Sequence, residues 1–484
     1  MNEWRPADEH VERAVELFHR GRWTEAAREF RQALDLEPER GDWQFNLGLT
    51  LEAAGRHGEA RAAFEAAVEL MPDDIEPRLA LGSVLLALDR PEDALTVFEA
   101  ASAVDPQHEL SFAKRIETLA ELGRHDEAET VYYLAQHHLE ELPRCLKAMG
   151  ESLLDRGILD RAGWCLRESL RQDPTIPGVR SRLAEVLAAT GRPNRAVQMF
   201  LQELRDDPGG IDTLLRFGRL LGELRRDAEA AEKYRRVLEL DTANAEAHWR
   251  LGELAARSSR HAEAAAEFEL AAQLDPERSG AQLRLAEARL RVGRVEEARR
   301  ALLDQGRRLR ETARDRLDRV QQGDHGSDPA MLELASRTCE LLLEVGQPAE
   351  AVEVLSEFGT ELRNDPDRLR LLALANFDAG HVAEGCAISR RVLRLEPNCV
   401  ASMHNLALAA QRGGHRRLAW AWWRRGTRLA PEDEGLRRVR TRLVLDEIAH
   451  GMDLIVTTIQ SVLAPFVRSV RHGLRALTAP TSRR

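Results

Sequence analysis

Lysine is nearly missing from this chain of 484 residues: only Lys114, Lys147 and Lys233 are lysines among 70 basic residues. Arginine takes its place even at solvent-facing positions, which reads as a coding bias and not as a site. Cysteine is scarce as well. Cys145, Cys165, Cys339, Cys386 and Cys399 are odd in number, far apart and without a C-x-x-C pair, which argues against a disulfide framework and a structural zinc. No window approaches 18 uncharged apolar residues. The opening MNEWRPADEHVERAVELF has acids where a secretory signal needs a basic start and an apolar run. A cytoplasmic location is the expectation. The net charge of −11 opposes general nucleic-acid binding, since attraction to phosphates supplies most non-specific affinity. H-E-x-x-H, a Walker loop, G-x-G-x-x-G after a strand and G-x-S-x-G are all missing, and no strand-rich segment could carry the last two. No enzyme activity, cofactor or metal is expected. His57, His125 and His261 share one turn register, which turn packing explains.

What the chain does have is a period. Pro38, Pro72, Pro106, Pro174, Pro208, Pro276, Pro397 and Pro431 stand 34 or 68 residues apart except for one interval of 121. Between them, two apolar helical patterns are joined by a turn that often reads Gly-Arg, as at Gly55, Gly123, Gly191 and Gly293. One register of the second helix reads Ala26, Ala60, Ala94, Ala128, Ala162, Ala196, Ala230, Ala264, Ala298, Ala351, Gly385 and Ala419. Small side chains there predict a close helix crossing. Four residues on stand Phe30, Phe64, Phe98, Tyr132, Leu166, Phe200, Tyr234, Phe268, Leu302, Leu355, Ser389 and Trp423, expected as wedges between adjacent units. The first helix has its own small register at Gly48, Gly82, Gly150, Gly218 and Gly252, with alanine at Ala14, Ala184, Ala286, Ala373 and Ala407.

This pattern resembles the tetratricopeptide repeat over about residues 7 to 435, in twelve units starting near 7, 41, 75, 109, 143, 177, 211, 245, 279, 332, 366 and 400. The resemblance implies an all-α protein: an α-solenoid of helix-turn-helix units wound as a right-handed superhelix, which binds protein or peptide segments in a concave groove lined by the first helices. Units 1 to 9 are expected over 7–310 and units 10 to 12 over 332–435. Between them lie 19 extra residues, expected as a lengthened helix, then a loop, and an exposed hinge between two sub-arrays (311–331).

On that alignment one inward register is Val15, Leu49, Ser83, Glu117, Glu151, Glu185, Arg219, Glu253, Glu287, Glu340, Leu374 and Leu408. The neighbouring register opens with Val11, Phe45 and Leu79, and Phe18 and Leu86 lie nearby. The expected groove is therefore apolar at its N-terminal end and acidic along its middle. It would suit a non-catalytic scaffold or adaptor whose partner is a basic segment with apolar anchors. Solvated, helix-favouring glutamates are the plainer account of the same row. The stretch LAWAWWRRG, with Trp420, Trp422 and Trp423, resolves by register into two packing residues and one candidate contact, Trp422.

A capping helix is expected over 436–453, as an exposed last interface requires. Residues 454–484 read as a basic amphipathic tail: apolar positions recur at three-and-four spacing, no acid follows Asp453, and Arg468, Arg471, Arg475, Arg483 and Arg484 contribute +5. The tail suits an extra cap, an anionic membrane surface or an acidic groove. The second of these makes a peripheral-membrane assembly factor the alternative function. Nucleic-acid binding through the arginine-rich last units is a weaker third.

Overall fold

Twelve short turns set the architecture. Each first helix ends in a residue of left-handed backbone, at positions 21, 55, 89, 123, 157, 191, 225, 259, 293, 346, 380 and 414. Nine of these are glycine, for which positive φ costs little, and Asp89, Arg225 and Ser259 adopt φ of 57–58° without that freedom. The arginine that usually follows begins the second helix and pairs with a carboxylate three residues on. Arg22–Glu25, Arg56–Glu59, Arg124–Glu127 and Arg226–Glu229 each close at 2.7 Å. These pairs are exposed and screened by solvent, so they orient the turn more than they stabilise it.

The computed structural model describes residues 6–321, 328–359 and 361–449, together with 452, 456, 457 and 460. All regular structure among them is helical. The chain divides into two compact units, Met1–Thr242 and Ala243–Arg484. The first holds seven hairpins, from Pro6–His19 with Trp23–Leu36 to Ile211–Glu223 with Asp227–Leu240. The second holds five, from Ala245–Arg257 with His261–Leu274 to Val400–Arg412 with Arg416–Leu429, and then a helix over 434–449. No helix among the described residues is long and apolar enough to cross a membrane.

All eleven alanines of the crossing register are fully buried. The bulky residue four positions later closes first onto its own hairpin. A Cβ added to Gly48 would lie 2.5 Å from the Phe64 ring, and the same test at Gly218, Gly252 and Gly150 meets Tyr234 at 2.6 Å, Phe268 at 2.7 Å and Leu166 at 2.8 Å. The expected wedge between units is thus mainly a plug inside each unit. It also reaches outward at Phe200, which stacks on Phe217 of the next unit at 5.1 Å. Unit 11 reverses the arrangement: Gly385 and Ser389 leave space in the second helix, and Phe377 of the first helix fills it, 2.9 Å from a Cβ placed on Gly385.

The insertion lengthens one helix, Val295–Gln321, to 27 residues. Its extra turns do not form the expected exposed hinge. Leu309 and Ala313 are buried in a core that runs without a break from Leu283 to Leu406. Arg310 pairs with Glu350 at 2.8 Å and with Glu353, and Arg314 pairs with Glu357 at 2.7 Å. The next second helix, Pro348–Ser356, has only nine residues and is followed by a 3-10 turn at Glu361–Asn364. The long helix supplies the packing that the shortened one gives up. Residues 322–327, where the loop was expected, lie outside the described residues, as does most of the tail over 454–484.

The last helix starts at 434, two residues before the expected cap, and buries Leu436, Val439 and Leu443. Trp420 and Trp423 meet edge to face at 5.1 Å and hold it: Trp423 Nε1 donates to the Leu436 carbonyl at 3.0 Å, and Trp420 Nε1 to Glu447 at 3.1 Å. Trp422 is also a packing residue, half-buried between two core clusters, so it is no longer a free contact candidate.

Candidate partner-binding face

Within each compact unit the first helices bring one register of side chains side by side from hairpin to hairpin, because the 34-residue step repeats the packing of each helix. At the N-terminal end this face keeps apolar side chains only partly covered. Val11, Phe45, Leu49 and Leu86 are half-buried against the core of units 1 to 3, Phe18 is half-buried, and Val15 is 39% exposed. Phe45 leans on Phe64, with ring centres 5.8 Å apart. Leu79 departs from the expectation. At 6% exposure it belongs to the core of units 1 to 3 and is not a contact residue.

The glutamate row is in place, but it is not a bare acidic stripe. Every member pairs with a cation one turn earlier in its own helix or in a neighbouring unit. Within the first compact unit, Lys114 holds Glu117 at 2.8 Å. Arg182 spans Glu151 at 2.8 Å and Glu185 at 3.2 Å, and Arg216 reaches Glu185 at 3.0 Å. Within the second, Arg250 holds Glu253 at 3.0 Å, and Arg284 holds Glu287 at 3.1 Å. Arg337 links Glu287 at 2.9 Å to Glu340 at 2.7 Å. Glu340 remains exposed, and the other glutamates are half-buried. The repulsion expected between like charges is relieved inside the protein, which corrects the picture of an acidic middle awaiting a cationic partner.

These pairs are electrostatically coupled. Burial opposes the charge on Arg182, but Glu151 and Glu185 outweigh it and leave its pKa above the ordinary arginine value. The hydrogen bonds that Arg337 donates to Glu340 and Glu287 raise its pKa in the same direction. Glu246, one turn before Arg250, is pushed up by burial and pulled further down by Arg278 and Arg250, ending below the usual carboxylate range. The ladder is legible in the sequence: Arg182, Arg216, Arg250, Arg284 and Arg337 share one register three residues before the glutamate row. Residues three apart on a helix are neighbours, so the arginine register neutralises the glutamate register beside it.

Family models described as "Tetratricopeptide repeat" match residues 11–75 and 215–279, 51–115, and 180–211. No curated protein matches. Among solved structures, a tetratricopeptide repeat protein from Parabacteroides merdae is similar at 15% identity, covering 58% of this chain and 98% of its own, with a TM-score of 0.40. Yeast Tom70 is similar at 16% identity, covering 96% of this chain and 99% of its own, with a TM-score of 0.34. A thermophilic repeat protein from Thermus thermophilus, TTC0263, is 25% identical and covers 38% of this chain and 99% of its own, with a TM-score of 0.31.

Proposed function

Since the chain belongs to the tetratricopeptide repeat family, we propose that it is a non-catalytic scaffold that holds protein or peptide segments along the face of its first helices. The observation that carries this reading is the partly covered apolar set Val11, Val15, Phe18, Phe45, Leu49 and Leu86 at the N-terminal end of that face. Completing the burial of such side chains is favourable at roughly 25 cal/mol per Å² of apolar area, and a partner's apolar anchors would complete it. Beyond the anchors, Glu117, Glu151, Glu185, Glu253, Glu287 and Glu340 act together with their arginines. A charged partner residue must exchange with an existing ion pair, so the ladder supplies register and selectivity more than raw affinity.

The test is a random peptide library panned against the full-length chain, followed by calorimetric titration of the selected peptides. Phe45→Ala with Leu49→Ala should weaken binding at least about tenfold, as loss of two central anchors does. Unchanged affinity in that variant would remove the N-terminal face as the binding site.

A further inference from the structure

One row of the first-helix face carries a charge that the protein leaves unanswered. Through the seven hairpins of the first compact unit this register reads Phe18, Glu52, Leu86, Ala120, Leu154, Ala188 and Gly222, so Glu52 is its one charged member. On the helix Gly41–Ala53 it closes the stripe Phe45, Leu49 and Glu52, since residues at i, i+4 and i+7 share a helical face. Glu52 is half-buried, as are the equivalent Phe18 and Leu86 of the adjacent hairpins. Its carboxyl group has no hydrogen-bond or ion-pair partner among the described residues.

The glutamates farther along the face differ in this respect. Glu117 holds Lys114 at 2.8 Å and Glu151 holds Arg182 at 2.8 Å, whereas Glu52 holds no cation. Burial raises its pKa above the ordinary carboxylate value, and His57, at the start of the second helix of the same hairpin, opposes this only in part. Ser83, the equivalent of Leu49 in the next hairpin, donates its hydroxyl to the Leu79 carbonyl at 3.0 Å and is already satisfied. A partner that covers the apolar anchors must also cover Glu52. A wholly apolar partner would strip water from this carboxylate and supply nothing in its place, a penalty that discriminates between partners.

We propose that the occupant of this N-terminal face is a protein segment with a lysine or arginine set between apolar anchors, whose cation pairs with Glu52 while the anchors meet Phe45 and Leu49. The inference rests on the proposed use of the first-helix face for binding and names the chemistry of its partner. Charge complementarity selects the occupant. At the ladder an incoming cation must displace an arginine, but at Glu52 it displaces none, so this pair contributes to affinity as well as to register. A segment with an acid at the same place is repelled.

Panning a random peptide library against the full-length chain and against its Glu52→Lys variant tests it, followed by calorimetric titration of the selected peptides. Wild type should select sequences with lysine or arginine flanked by apolar residues, and Glu52→Lys should select an acid at that place. Glu52→Gln should weaken binding of the wild-type peptides about tenfold. A peptide whose basic residue is changed to glutamate should bind Glu52→Lys more tightly than it binds wild type. Glutamine keeps the shape of glutamate, and an unchanged melting curve checks that the fold is intact. Selected peptides that lack a basic residue overturn the inference and leave the binding face standing. So does an affinity that Phe45→Ala with Leu49→Ala lowers and Glu52→Gln leaves unchanged. An affinity indifferent to all three changes, or a library that yields no peptide, overturns the binding face and the inference together. Self-association of wild type that Glu52→Gln abolishes, with no peptide selected, assigns the face to a second copy instead.

Discussion

Gly82 has no room for a methyl group: its missing Cβ would fall inside contact distance of the Phe98 ring, which is itself fully buried. Gly82→Ala should therefore destabilise the protein by about 1–3 kcal/mol, the usual cost of overpacking. Phe98→Leu should return part of that loss, so that calorimetric melting of the double variant shows non-additive coupling. Backbone strain runs the other way at Ser259, which holds φ of 58° at a turn where nine equivalent positions are glycine. Ser259→Gly is expected to raise stability by about 0.5–1 kcal/mol in urea titration, a left-handed residue being relieved at some cost in chain entropy. Both effects were legible in the sequence, because the small residues and the turn glycines repeat in register. Which partner each small residue receives was not legible. Period alone does not separate a plug within a hairpin from a wedge between hairpins, and only the closeness of Phe64 to Gly48 does so.

Among the elements, the last helix depends on few contacts. Leu436, Val439 and Leu443 enter the core, and two indole N–H groups anchor its two ends. Trp423→Ala should release it, losing about 2–3 kcal/mol locally, with amide exchange over 434–449 accelerating while the earlier hairpins stay protected. The same junction senses pH. Burial depresses the pKa of His404 below its ordinary 6.5, opposed by Asp433, and its ring lies 3.2 Å from a Cβ placed on Gly435 at the start of the helix. The unfolded chain takes up this proton more readily than the folded one. Stability contributed here is therefore present above pH 6.5 and is lost as pH falls through the lower folded value. His404→Gln should show a smaller fall in melting temperature between pH 7.5 and 5.5 than wild type, and an equal fall would remove His404 as the source. The sequence announced a cap and a lengthened helix at the insertion. It did not announce that Leu309, Ala313 and Arg310 would bind the long helix to its neighbour, since those contacts join residues about 40 apart and follow no repeat.

For the whole molecule, repeats at a fixed step make stability a sum of similar local terms, and make the first-helix face a surface whose chemistry varies along its length while its geometry repeats. Fold was readable because packing residues recur; the groove was only half readable because its charges act in pairs drawn from two registers. The central claim is that partners lie on the face carrying Val15 and Leu49. Benzoylphenylalanine placed at 15 or 49 in the full-length chain, and at 133 or 164 where Tyr133 and Trp164 stand exposed on second helices, tests it by photocrosslinking in the native cell. The same partner should be captured from both 15 and 49 and not from 133 or 164; capture from 133 and 164 alone would contradict the account.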